Sequence, residues 1–181
     1  MGALTLWQYI QDFGTTRLGK VCFIDQSPKL LTDDSWRHGI YGDFDRQASE
    51  AFLTRLNEDF PEAVLRLAAF GRNARAKEKY QANAPGWQKS RDQLGSLDAA
   101  PLITCWRSLT EADYRGVLEQ IAIPAMLVYG AESNFYPIDT AHYVASRLPN
   151  AALHIYEGAD HSPHLWQRER FARDLMAFIA A

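Results

Sequence analysis

Over the first fourteen residues, Leu4, Trp7 and Ile10 recur at helical spacing with Leu6 and Phe13 flanking them, and Gly14 stands where a helix can stop. The spacing predicts a helix that opens the chain. KVCFID then runs without interruption through β-branched and aromatic residues to Asp25, before Gln26, Ser27 and Pro28 break it, which is the pattern of a fully buried parallel strand. Asp25 therefore falls at the C-terminal end of a strand. From about Thr32 to Gln120 no segment has a convincing strand pattern. ASEAFLTRLNEDF and PEAVLRLAAF there carry helical periodicity, with Pro61 suited to the start of the second helix. IPAMLVYGAE, entered through Pro124 and closed by Gly130, predicts a second buried strand. Ala141, Val144, Ala145 and Leu148 predict a helix covering it, stopped by Pro149. ALHIYEGAD supplies a third strand and a loop. Ser162 and Pro163 begin a helical segment in which Phe171, Leu175 and Phe178 form one apolar face. The order helix, strand, helical insert, strand, helix, strand, helix predicts an α/β chain with a parallel sheet, its core in residues 1–31 and 121–181 and a helical insertion over 32–120.

Composition narrows the function classes. Of the 181 residues, 47% are hydrophobic and 12% aromatic, enough for one packed core and against a disordered or fibrous chain. A net charge of -3 offers no broad basic field, so nucleic acid is not an expected partner. Between Arg72 and Arg91 the charges are mostly positive, which reads most simply as a solvated helix face. Cys22 and Cys105 lack metal-ligand spacing, and Cys22 sits in VCFI as a small hydrophobe, as expected of reduced thiols in the cytoplasm. No apolar run has the length of a membrane span, and the N-terminus lacks the layout of a signal peptide, so a soluble, cytoplasmic protein without a membrane partner is expected.

Two segments carry chemistry. EGADHSPHLWQRERFARDLMAFI has a strand ending near a glycine, then His161, then an amphipathic helix, and MGALTLWQYI opens directly into a helix. With Asp25 at a strand end between them, the sequence resembles the α/β-hydrolase family over nearly its whole length, which implies a partial α/β-hydrolase fold with the insertion 32–120 as a helical cap. In that resemblance Met1 and Gly2 fill the last two places of the nucleophile elbow G-x-S-x-G, the serine would precede Met1, and Met1 takes the position of an oxyanion-hole residue. His161 matches the family histidine, whose imidazole takes a proton from the nucleophile and returns it later. The orienting acid usually follows the strand AMLVYG by three residues beyond the glycine, where this chain has Ser133. Some members, including one group of haloalkane dehalogenases, carry the acid after the preceding strand, and Asp25 matches that position. Glu132 is the runner-up. Asp25 could instead organise a turn with Ser27 and Pro28, and Ser133 could be a loop serine or a hydrogen-bond partner of the acid.

The resemblance implies ester or related acyl hydrolysis of a small-molecule substrate without cofactor or metal, although esterases, lactonases, dehalogenases and cofactor-free haloperoxidase-like enzymes share this layout. His38, His142 and His154 have no assigned role. His161 and His164 have the spacing of some metal ligands but no accompanying carboxylate or cysteine set. Without the serine and the oxyanion hole, the expectation is a chain inactive alone that needs an N-terminal part, with an exposed sheet edge prone to self-association. The alternative is a non-catalytic binding module that uses the cap pocket and that edge. Trp36, Tyr41, Trp87 and Trp106 would suit the wall of a substrate pocket, or simply packing.

Overall fold

A computed structural model describes all 181 residues. Helix α1 (Gly2–Phe13) opens the chain and strand β1 (Val21–Ile24) follows. Five helices come next: α2 (Arg46–Glu58), α3 (Phe60–Ala69), α4 (Ala74–Gln81), α5 (Pro85–Gly95) and α6 (Ala99–Glu111). A short turn, α7 (Arg115–Leu118), leads into β2 (Ala125–Gly130), α8 (Ile138–Arg147) and β3 (Ala151–Tyr156). Helices α9 (Pro163–Trp166) and α10 (Arg168–Ala180) complete the chain. The strands lie in the order β1-β2-β3, all parallel, so every connection is a crossover that carries helices.

All six residues of β2 are buried, as its uninterrupted apolar run requires of a central strand covered on both faces. Because successive side chains alternate, Ala125, Leu127 and Tyr129 join the large core with Leu4, Trp7 and Ile10 of α1 and Ala141 and Val144 of α8. Met126 and Val128 face the other way, onto Tyr156 and the Phe171, Leu175 and Phe178 face of α10. Trp7 is fully buried with its ring 5.0 Å from that of Phe23, which locks α1 against β1.

The boundaries differ from the periodicity in places with local causes. Asp59, which the pattern leaves inside the first insert helix, instead ends α2 and caps α3, its side chain accepting from the Glu62 amide, while Pro61 takes the first turn where no N–H is needed. The closing helix is split at Gln167 into α9 and α10. Helices α4, α5 and α6 have no pattern strong enough to be placed individually from the sequence, since α4 and α5 bury no residue fully.

Gly130 closes β2 at a point of close approach. A Cβ there would fall on the carbonyl oxygens of Ala159 and Asp160, which are backbone atoms and cannot swing aside. Gly130→Ala is expected to destabilise the fold by about 3 kcal/mol, the upper end of the overpacking range, read as a lowered urea midpoint. A second expectation concerns Cys22, whose thiol burial pushes up to about 11 from its ordinary 9.0. The unfolded chain gives up that proton first, so stability falls as pH climbs from 9 to 11. Urea titrations of Cys22→Ala should show a shallower loss over the same interval.

Candidate active site

The site forms where the C-terminal ends of the three parallel strands come level, the usual place for chemistry in such a sheet. β1 ends in Asp25, which takes a positive φ of 44°, a conformation aspartate tolerates better than most residues. Its side chain is fully buried. Oδ1 accepts from the Gly130 amide at 3.1 Å, and Oδ2 accepts from the Ser133 hydroxyl at 2.6 Å. The same Oδ2 lies 2.6 Å from His161 Nδ1. That contact assigns the ring proton to Nδ1 in the neutral imidazole and leaves Nε2 as the basic nitrogen.

His161 reaches this position from the loop after β3, and its surroundings restrict the ring. Phe135 meets the imidazole edge-on with centroids 4.6 Å apart, and Tyr136 does so at 5.9 Å. The His161 amide donates to Asn134 Oδ1 at 3.4 Å, and Asn134 Nδ2 donates to the Ala68 carbonyl of α3 at 2.9 Å. Gly71 presses so closely on the Asn134 carbonyl that no side chain fits, and the Arg72 amide donates to that oxygen at 2.9 Å. The insert helices are thus tied to the loop that carries the histidine's neighbours.

Two cavities meet at His161. One, of about 280 Å³, lies between α1 and helices α2, α3 and α6, with Leu4, Phe52, Val64 and Trp106 in its wall. Of its seventeen lining residues only Gln26 and His161 are polar, so an uncharged apolar group is what it can hold. The other, of about 350 Å³, is walled by Asn73, Arg75, Lys79, Trp87, Asp160 and Trp166 and is markedly more polar. Burial, and after it the charge of Asp25, hold the phenols of Tyr129 and Tyr136 above their ordinary value, so both stay neutral beside the carboxylate.

The residues singled out from the sequence separate clearly. Asp25 and His161 are brought into contact. Glu132 is not, because its carboxylate pairs with Arg75 across the loop at a partly exposed surface. Met1 caps α1 and lies at the rim of the apolar cavity. Among the aromatic candidates Trp106 lines the apolar cavity and Trp87 the polar one. Trp36 meets Tyr143 edge-on and Tyr41 donates to the Leu67 carbonyl, and neither lines the two cavities. Asn134, Phe135, Tyr136 and Gln26 escaped the sequence reading. Gln26 is the one that adjacency to Asp25 could have flagged.

The chain thus has an α/β core with a buried acid and a histidine at the strand rim beside a helical insertion, and it belongs to the alpha/beta hydrolase fold family, whose sequence model matches residues 1–167. It is 26% identical over 167 residues to a pimeloyl-[acyl-carrier protein] methyl ester esterase of Chromobacterium violaceum, covering 88% of this chain and 59% of that protein. It is also 25% identical over 190 residues to a non-heme chloroperoxidase of Kitasatospora aureofaciens, covering 99% of this chain and 65% of the relative. A bromoperoxidase structure from Bacillus anthracis superposes with a TM-score of 0.81 at 20% identity, over 100% of this chain and 65% of that one. The chain therefore spans roughly three fifths of the length of the curated relatives it matches.

The geometry yields a direct expectation for Glu132. Its ion pair is half-exposed, so Glu132→Gln should change stability by less than about 1 kcal/mol in thermal unfolding. NMR of the variant should still show His161 Nδ1 hydrogen-bonded to Asp25.

Proposed function

We propose that this chain is the acid–base and pocket-forming portion of an ester hydrolase, in which His161 acts as general base and acid and Asp25 orients it. The observation that carries the reading is the 2.6 Å contact between His161 Nδ1 and a carboxylate oxygen that is itself fully buried. Such a partner fixes the tautomer and ring orientation and stabilises the imidazolium that forms when a hydroxyl gives up its proton. The resemblance in sequence to a methyl ester esterase supports ester hydrolysis as the reaction.

The nucleophile in this reading is a serine immediately ahead of Met1, at the N-terminus of α1, with the Met1 amide as one oxyanion donor. Met1 and His161 both border the apolar cavity, which makes that cavity the binding site for the uncharged acyl or alcohol portion of the ester. At about 280 Å³ it is of the size that takes a small to medium group. Residues 32–120 act as the cap of this pocket. The outer edge of β1, which pairs only with β2, receives a further strand in the complete enzyme.

The test is an assay on short-chain aryl esters with the chain extended upstream of Met1 through a G-x-S-x-G segment. The extended protein should turn over. His161→Ala and Asp25→Asn should each lower kcat by about 10³-fold or more, and Glu132→Gln by less than about threefold. The 181-residue chain by itself should show no turnover above background. Full activity in Asp25→Asn, or its loss in Glu132→Gln alone, would remove Asp25 from the mechanism.

A further inference from the structure

Ser133 touches the acid at the oxygen that matters. Its hydroxyl lies 2.6 Å from Asp25 Oδ2, the same oxygen that meets His161 Nδ1, while Asp25 Oδ1 is held separately by the Gly130 amide. A serine hydroxyl has one hydrogen and two acceptor lone pairs. Here the amides of Phe135 and Tyr136 both donate to Ser133 Oγ, each at 3.3 Å. With its acceptor sites facing those amides, the hydroxyl directs its single hydrogen at Asp25. Ser133 is 4% exposed, so water does not compete for that hydrogen.

We propose that Ser133 is a positioning residue for the Asp25–His161 pair, drawing off part of the charge on Asp25 Oδ2 and so setting how strongly that oxygen holds the imidazole. The proposal rests on the reading of Asp25 and His161 as the acid–base pair and adds a control on it. Two donors share one oxygen, so each weakens the other's bond, while the Gly130 amide prevents the carboxylate from rotating to separate them. The hydroxyl also anchors the amides of the two residues whose rings meet His161 edge-on. One side chain therefore sets both the acid and the aromatic wall of the base.

The measurement is the low-field proton resonance of the His161 Nδ1–H in the 181-residue chain labelled with ¹⁵N histidine, which needs no turnover. Ser133→Ala should move it to lower field, because the full charge of Oδ2 then falls on one donor. Ser133→Cys, a weaker donor of similar shape, should move it part of the way, and Ser133→Thr, which keeps the hydroxyl, should leave it in place. A merely space-filling Ser133 predicts no movement in any of these, and a serine that only immobilises the loop predicts movement to higher field in Ser133→Ala. Either result overturns the proposal. Asp25→Asn serves as the separate control: it should abolish the low-field signal. If that signal persists unchanged, the pair itself is wrong and the role of Ser133 falls with it.

Discussion

The arrangement depends on what a buried carboxylate demands. Taking Asp25 out of water costs several kcal/mol unless donors replace its hydration. Those donors come from three separate places: the last residue of β2, the loop behind it, and the loop after β3. They converge only because the strands are parallel and in register, with Ile24 beside Val128 and Val128 beside His154. Antiparallel strands would send these ends to opposite rims of the sheet. Gly130 is the second requirement, since the chain leading to His161 passes directly over it and leaves no room for a side chain.

The insertion between β1 and β2 does more than cover the site. Asn134 is the junction, with its side chain reaching α3 through Ala68 and the His161 amide through Oδ1, and its carbonyl held by Arg72 beside Gly71. Asn73 adds a bond from its side-chain amide to the Glu132 carbonyl at 2.8 Å. Movement of α3 or α4 would therefore be felt at Phe135 and at the histidine through bonded atoms rather than through loose packing.

Much of this was readable from residue types alone. Strand β2 is legible because a fully buried strand needs an unbroken apolar run, β1 shows such a run although Cys22 and Ile24 stay half-buried at the sheet edge, and α1 is legible through the stripe of Leu4, Trp7 and Ile10. Asp25 stood out as a charged residue ending such a run. What stayed hidden were contacts made between segments distant in sequence. Nothing local distinguishes Asn134 from an ordinary loop asparagine, nor Gly71 from a helix-ending glycine. The basic run from Arg72 reads as a solvated face, and Arg75 is indeed half-exposed, yet it also crosses to Glu132 and takes that carboxylate away from the histidine. Helices α4 and α5 were hard to place for a related reason: they bury little, so their sequences carry little periodicity.

The constraints on His161 leave one polar atom of the ring unengaged. Nδ1 is engaged by Asp25, the ring edges are set by Phe135 and Tyr136, and the backbone is tied to Asn134. Nε2 is the remaining polar atom of the side chain. It belongs to a residue that borders a cavity with a single other polar lining residue, Gln26, whose amide is occupied by the Tyr136 hydroxyl at 2.7 Å. His161 also borders the polar cavity that Arg75, Lys79 and Asp160 line, so the residue stands where an apolar and a polar space meet, with the buried carboxylate fixed behind its ring. The Gly130 amide and the Ser133 hydroxyl thus hold the carboxylate that meets the ring at 2.6 Å from Nδ1, and neither residue lines either cavity.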